Sequence, residues 1–465
     1  MHKLFIIILL SLFTGSVALQ AQQSFTLDEA VKYAIEHHSS THINAINMAD
    51  AEQNMRELRS IGLPKLTGKL GYNYFIETPS VPVGDFLTPA IKGILIGTGV
   101  AADYPQINEL QAQQGGQLSF QQKNNFAASA DFSWLAFDGS YLVALEAAKT
   151  YRELVSLQSE VSPITLRNTI TDAYYAVLIA EKNKEILEKN IANLNLLRND
   201  VAAINKQGLN EKLDVDRVDL SLATLQSTTS NLTRSIELMK DLLKFQMQYT
   251  PDQPIVLSDS FDELFNNAEN HPELAAAELS FNDKPEYLVL QKANELAALD
   301  IKRYRMAYWP SLIIISSFQR SFQSDNIFKK GGTWLPTSLV GAQLNIPIFD
   351  GWEKDAKMQR AKLKVEKNNV DIENYQRAIN LSLTNSRNQY LIARETVDTR
   401  SKALKLADEI FRVSNIKYKE GIGSSFEVKQ AETDVYAAQN NLLQAQYELI
   451  KAFSEIQKAL GKYTF

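Results

Sequence analysis

The feature that most constrains this 465-residue chain is that it repeats itself once. The tripeptide Phe137-Asp138-Gly139 recurs as Phe349-Asp350-Gly351, an offset of 212 residues. Downstream, Lys206-Gln207-Gly208 resembles Lys419-Glu420-Gly421 at an offset of 213. Because two landmarks keep their spacing of about 70 residues in both halves, the chain is predicted to be a twofold repeat of one arrangement.

The segment after each Phe-Asp-Gly predicts a pair of very long helices. Segments 140–249 and 352–460 are rich in Ala, Leu, Glu, Lys and Gln, and Pro163 is the only proline in either. Gly208 and Gly421 suit tight turns between antiparallel partners. We expect Pro163 to kink its helix, because proline removes an N–H donor and its ring crowds the preceding turn.

Four further segments alternate apolar and polar residues, which predicts strands at 65–76, 125–137, 311–320 and 338–349. About ten residues is the length of a tilted membrane strand, although a half-buried strand in a soluble sheet is the alternative. Four strands cannot close a barrel, so strands from several copies would have to be pooled. All four tryptophans lie in or beside these segments, as expected of membrane-interface aromatics: Trp134, Trp309, Trp334 and Trp352.

The remaining segments complete the predicted domain plan. Residues 1–21 have the charged start, apolar run and small residues of a secretory signal peptide. Residues 22–250 would form the first repeat, 251–284 a linker and 285–465 the second repeat. In the first repeat, a capping box at Thr26-Leu27-Asp28-Glu29 predicts a helix through Ile61.

The first repeat also carries an insertion. Pro64 precedes Phe137 by 73 residues, whereas the matching Pro310 precedes Phe349 by 39, so the first half has 34 extra residues. They lie around 79–116, where prolines and glycines predict a long loop.

Composition argues against several classes of function. The chain has no cysteine, so disulfides, thiolate metal sites and thiol catalysis are excluded. A net charge of −6 gives no clustered basic footprint for nucleic acid. His38 and His42 have a metal-chelating spacing, but without a third ligand nearby we favour a solvated helix end. Neither catalytic residues, nor a metal site, nor a cofactor is predicted, and the protein is not expected to be an enzyme.

With these features together, the layout resembles the TolC-type outer membrane efflux proteins. The resemblance implies a mainly α fold with a small β part, in which three protomers pool four strands each into a twelve-stranded barrel. Long antiparallel periplasmic helices would form an α-barrel beneath it. The implied function is a passive exit channel of a tripartite efflux or type I secretion system. It would lie in the outer membrane of a Gram-negative-type envelope, with a large periplasmic part.

The resemblance also implies partners and a site. The homotrimer would work with a periplasmic adaptor and an inner-membrane pump of the RND, ABC or MFS type. The periplasmic gate would contain Asp214, Tyr418, Glu427 and Gln430. Gly423 stands where the best-known member has a gate arginine, and one carboxylate per protomer is expected at the constriction. Adaptor contacts are expected at the tip turns: Gly208, Leu209, Gly421 and Ile422.

An alternative interpretation is a structural coiled-coil surface protein without a transport function. Long amphipathic helices are compatible with both interpretations, and the two-faced strands favour the channel. The sequence contains no pattern from which an exported substrate can be read.

Overall fold

The computed structural model describes residues 23–78, 80–83, 87–99, 116–119, 121–208, 210–271, 273, 276–326, 328 and 331–462. The predicted signal peptide at 1–21, Leu209 and about half of the predicted loop at 79–116 lie outside these ranges. The described part of that loop is not irregular chain, because it contains a short strand and a helix and ends where a second strand begins. The chain divides into two compact units. The first, here the helical unit, comprises the described residues of Met1–Gln53, Lys149–Ala297 and Leu363–Phe465; the second, the sheet unit, comprises those of Asn54–Ala148 and Ala298–Lys362.

Each unit takes residues from both predicted repeats, so the division into repeats is not the division into units and stays a prediction. The principal elements in chain order are β1 (Gln23–Phe25), α1 (Leu27–His37), α2 (Ser39–Ile61), β2 (Lys65–Tyr74), β3 (Ser80–Val83), α3 (Leu87–Gly97), β4 (Gly116–Ser119), β5 (Asn124–Phe137), α4 (Gly139–Lys206), α5 (Lys212–Met247), β6 (Ile255–Leu257), α6 (Phe261–Asn270), α7 (Pro285–Met306), β7 (Ser311–Ser324), β8 (Thr333–Asn345), α8 (Glu353–Lys419) and α9 (Ser425–Leu460).

The helix expected from Thr26 to Ile61 is in fact two helices. Its capping box is present, because the Thr26 hydroxyl accepts from the Glu29 amide at 3.2 Å and the Glu29 carboxylate accepts from the Thr26 amide at 2.9 Å. The break falls at His38, whose backbone is extended. There the His38 ring accepts from the Ser40 amide at 3.1 Å, so a side chain replaces the interrupted helical bonds.

Pro163 lies within α4, and the helix continues through it. Its ring leaves the carbonyl oxygen of Ser159 without the usual helical N–H donor. The side-chain amide of Asn44, on α2, donates to that oxygen at 3.5 Å. A neighbouring helix therefore partly compensates for the proline.

The core of the helical unit lies where the long helices pack against short segments. A small buried cluster joins α4 and α5. Of the two larger clusters, one joins β1, α1, α4, α5 and β6, and the other joins α6, α8 and α9. Each of these two contains a fully buried tyrosine with a satisfied hydroxyl: Tyr174 donates to the Phe25 carbonyl at 2.9 Å, and Tyr390 donates to the Ala268 carbonyl at 2.8 Å. Such bonds fix the short segments on the helices without leaving buried polar groups unpaired.

The main sheet of the sheet unit is antiparallel, in the order β2-β5-β7-β8, and β3 and β4 form a separate two-stranded antiparallel sheet. The strand predicted at 338–349 instead covers Thr333–Asn345. It ends before Pro347, which cannot donate to a ladder, yet it contains Pro336, because a proline is tolerated on an edge strand. Strand β7 extends to Ser324, four residues beyond its prediction, because β5 and β8 both pair with it there.

The register places the alternating residues on two different faces. Leu66, Leu70 and Tyr72 share one face with Phe132, Ala128 and Phe126, their direct partners on β5. The opposite face is polar and includes Lys69 and Asp131, which form an ion pair at 3.0 Å. Every residue of β2 is exposed, including Leu66 at 76% and Leu70 at 79%. None of the helices in the described ranges is both long and apolar enough to cross a lipid bilayer.

Candidate functional site

The turn between α4 and α5 is held by asparagine side chains. Gly208 has φ +73°, a left-handed conformation that glycine adopts without a steric penalty. Asn205 donates to the carbonyl of Asn210 at 2.8 Å, and Asn210 donates to the Val201 carbonyl at 3.1 Å. The next residue of the predicted adaptor contact, Leu209, lies outside the described residues.

The turn between α8 and α9 has its own steric requirement. Gly421 has φ +75°, and the amides of Ile422 and Gly423 both donate to the Lys417 carbonyl at 3.0 Å. A Cβ at Gly423 would lie 3.0 Å from the Tyr418 backbone nitrogen. A side chain at the position where the resemblance places an arginine would therefore crowd the turn.

Asp214 links the two turns. Its carboxylate accepts a hydrogen bond from the hydroxyl of Ser425, the first residue of α9. The Arg217 guanidinium lies 3.5 Å from the same carboxylate oxygen and donates to the Ser425 hydroxyl at 3.4 Å. The Asp214 side chain is only 16% exposed, so this contact is partly shielded from water.

Two further contacts join the same segments. The Asn210 amide donates to the Tyr418 hydroxyl at 3.0 Å, so Tyr418 bonds to Asn210 and not to Asp214. The Lys419 ammonium forms an ion pair with Asp200 of α4 at 2.8 Å. Sequence reasoning identified Asp214 and Tyr418, but missed Asn210, Arg217, Ser425 and Asp200, because its only guide was the resemblance.

The exposed face of α9 carries two carboxylates near the turn. Glu427 and Gln430 are exposed, and the Gln430 amide donates to the Asp434 carboxylate at 3.0 Å. Residues 427, 430 and 434 share one helix face at spacings of three and four. This face therefore holds two carboxylates per chain, Glu427 and Asp434, and the prediction of one carboxylate at the constriction stays a prediction.

A buried polar group lies on the opposite side of α9. Glu432 is 6% exposed, and its carboxylate contacts the Lys429 ammonium at 3.1 Å and accepts from the Tyr436 hydroxyl at 3.1 Å. Burial, together with the Glu432 charge and hydrogen bond, raises the pKa of Tyr436 strongly. A buried carboxylate without its two partners would be costly, so the three side chains act as a unit. The sequence analysis did not single out Glu432 or its two partners.

The turns also expose apolar side chains. Ile422 is 78% exposed, Phe426 64% and Leu213 50%. Contiguous exposed apolar residues often mark contact surfaces for other proteins. Of these three, the sequence prediction contained only Ile422.

The four tryptophans lie toward the two ends of the sheet. Trp309 precedes β7, Trp134 lies near the end of β5 and Trp352 follows β8, all at the end where the strands join helices. Trp334 begins β8 at the opposite end, where its ring packs on Phe322 at a centroid distance of 5.3 Å. The Trp134 ring N–H donates to the Gly62 carbonyl at 3.0 Å, which fixes its orientation.

Residues 266–462 match the outer membrane efflux protein family. A curated relative is the alkaline protease secretion protein AprF of Pseudomonas aeruginosa, 23% identical over 166 residues. That match covers 36% of this chain and about a third, 34%, of the relative's length.

Solved structures show the same fold along almost the whole chain. The outer membrane protein VceC of Vibrio cholerae superimposes with a TM-score of 0.68 at 15% identity, covering 94% of this chain and 96% of VceC. The Neisseria gonorrhoeae MtrE outer membrane channel gives 0.65 at 16% identity, covering 94% and 88%. The comparisons confirm the predicted resemblance, the mainly helical fold with a small sheet, and the outer membrane as the location that the family description names.

Proposed function

We propose that this protein is a passive exit channel of the outer membrane, formed by three copies of the chain. The observation that carries the proposal is the four-stranded sheet, which is mainly apolar on one face, mainly polar on the other and open at both edges. An exposed apolar sheet with two unpaired edges would aggregate in water. Pooled into a closed ring of twelve strands, the apolar face would meet lipid and the polar face would line the bore.

The aromatic side chains support a membrane position for the sheet. Phe126 and Trp134 share the apolar face of β5 and lie eight residues apart. Eight residues correspond to ~26 Å along a strand and to ~20 Å across a bilayer at a tilt of ~40°. Membrane barrels have a similar apolar band of ~25 Å between two aromatic girdles.

For the helical unit, we propose that the two turns form the periplasmic entrance. The Asp214–Ser425 and Asp200–Lys419 contacts would hold the entrance closed, and Glu427, Gln430 and Asp434 would face the narrow passage. The exposed Leu213, Ile422 and Phe426 would contact a periplasmic adaptor, which in turn would engage an inner-membrane pump. Because of the similarity to AprF, export of proteins by a type I system is one candidate function, and efflux of small molecules is the other candidate.

The experiment is to express the full chain in a Gram-negative host and follow its location, size and conductance. We expect a protein that needs detergent for extraction, migrates as a trimer and forms ion-conducting channels in planar bilayers. A monomer that stays in solution without detergent would overturn the proposal and favour a coiled-coil structural protein.

The adaptor contact is tested with Ile422→Asp in a strain that depends on the channel for resistance or secretion. Export should fail while trimer formation and conductance persist, because a charge at an apolar contact disrupts binding but not folding. Leu406→Asp is a suitable control, since Leu406 is a similarly exposed leucine, at 63%, on α8 and away from the turn. Normal export by Ile422→Asp would argue against this contact.

A further inference from the structure

The backbone of β2 directs alternate residues to opposite neighbours. The Phe75 amide donates to the Lys123 carbonyl at 2.7 Å, one step beyond the paired residues Tyr74 and Asn124. In an antiparallel ladder, directly opposed residues alternate between hydrogen-bonded and non-hydrogen-bonded pairs. Odd-numbered residues of β2 therefore bond to β5, and even-numbered residues point their N–H and C=O groups to the free edge.

The same alternation fixes the free edge of β8. From β2 through β5 and β7 to β8, the registers pair even-numbered residues with even-numbered residues. The even-numbered residues of β8 therefore direct their backbone N–H and C=O groups away from β7. Pro336 is one of these, so its missing N–H costs no bond within the chain. Both edges of the sheet thus offer even-numbered backbone groups, and both carry their apolar side chains at even positions.

We infer that β8 of one copy pairs with β2 of the next copy in a single register, with Lys65 opposite Asn345 and Tyr74 opposite Pro336. This pairing, here called the subunit seam, rests on the proposed three-copy barrel and specifies how its protomers join. A shift of one residue is excluded, because it would oppose apolar with polar side chains and mismatch the backbone donors and acceptors.

Strand length and barrel tilt select among the registers that remain. All ten residues of β2 find partners on β8 in the proposed register and in the one shifted by two residues toward Gln343. The register shifted by two residues in the other direction places Thr67 opposite Asn345. It leaves the first two residues of β2 beyond the end of β8.

Tilt follows from the stagger accumulated around the ring. A path across the ladders from Lys69 passes Ser129 and Gln319 and reaches Thr337, which the proposed register places opposite residue 73 of the next copy. The path starts at residue 69 of one copy and arrives at residue 73 of the next, so the stagger is four residues per copy and twelve residues for three copies. With ~3.3 Å per residue and ~4.8 Å between twelve strands, the tilt is ~35°, within the ~35–45° of known membrane barrels.

The fully paired alternative does not meet this requirement. It places Lys65 opposite Gln343 and accumulates a stagger of two residues per copy. By the same geometry, this stagger gives a strand tilt of only ~19°. It would also place Pro336 opposite Tyr72, inside the ladder. The proposed register places Pro336 opposite the last residue of β2, where a missing donor disrupts the ladder least.

Paired cysteines test the seam, and the chain supplies a background without native cysteine. Thr67 and Gln343 would be a non-hydrogen-bonded pair on the polar face, with Cα atoms ~4.5 Å apart, within disulfide range. The test variant combines Thr67→Cys with Gln343→Cys in the full chain. Matched controls combine Thr67→Cys with Gly341→Cys or Asn345→Cys, which represent the registers shifted by two residues. A Cβ at Gly341 meets its nearest neighbour at 3.7 Å, an ordinary contact, so this control should fold.

After mild oxidation of outer membranes, we expect the test pair to give about tenfold more disulfide-linked trimer than either control, because diagonal neighbours are too far apart to bridge. Preferential linkage of a control pair overturns the register and leaves the three-copy channel intact. A native trimer that no pair links also overturns the register. A monomer that no pair links overturns both the seam and the proposed function.

Discussion

The Ser425 hydroxyl donates to the Asp214 carboxylate, and so ties the start of α9 to the start of α5. The contact joins residues 211 positions apart in sequence, one from each predicted repeat. Arg217 adds a charge beside it. These polar bonds lie beside a small buried apolar cluster of α4 and α5, against which Tyr418 and Tyr436 pack.

Removing that bond should favour an open entrance. A hydrogen bond to a charged group contributes about 1.5–3 kcal/mol, which corresponds to a change of about tenfold or more in the ratio of open to closed forms. We expect Ser425→Ala to raise the conductance of single trimers in planar bilayers. Ser235→Ala is the control, because the Ser235 hydroxyl bonds only within its own helix. Equal conductance of the two variants would show that this bond does not hold the entrance.

Divalent cations should block the channel through the acidic face of α9. Three copies of Glu427 and Asp434 around a passage would attract cations and compete for them with solvent. Glu427→Gln with Asp434→Asn should weaken block by Mg²⁺ or Co²⁺ about tenfold in conductance measurements. Glu448 lies on the same helix farther from the turn, so the control Glu448→Gln should leave block by the cation unchanged. The idea fails if both variants are blocked alike.

Tyr436 should make stability sensitive to alkaline pH. Its folded-state pKa is raised by burial and by Glu432, so its stabilising contribution is complete below the unfolded pKa of about 10 and declines as pH rises above it. Tyr436→Phe should lower stability near neutral pH by about 1–3 kcal/mol, because the buried Glu432 loses a donor. The variant should also lose less additional stability above pH 10.

Thermal unfolding of the purified protein at a series of pH values would measure both effects. Tyr151→Phe provides the control, since Tyr151 is 39% exposed. An alkaline response in Tyr436→Phe as steep as that of the unmodified protein would contradict the argument.

Gly423 should tolerate no side chain. A Cβ there would crowd the Tyr418 nitrogen at 3.0 Å, so Gly423→Ala should distort the turn and weaken the Asn210–Tyr418 bond. We expect faster protease cleavage at the turn, by severalfold. Gly68→Ala is the matched control, because nothing lies within 4 Å of the Cβ position at Gly68. Cleavage rates that match the control would mean that the turn adjusts at little cost.

Much of the local structure was readable from the sequence. The alternation in β2 and β5 and the scarcity of breakers along α4 and α8, where Pro163 is the one proline, are short-range signals, so they predicted strands and helices close to those observed. The predictions failed where polar side chains compete with the backbone, as at His38, and where a proline sits on an edge, as at Pro336. Local pattern alone cannot tell an edge strand from a central one.

The sequence by itself determined which residues form two-faced strands, which form long helices and where glycine allows the chain to turn. Only the tertiary structure decided that Asp214 meets Ser425, that Asn210 meets Tyr418 and that Lys419 pairs with Asp200. Secondary structure follows from periodicities of a few residues, whereas these pairings depend on the rotation and register of helices far apart in sequence. A single sequence carries no local signal for that geometry.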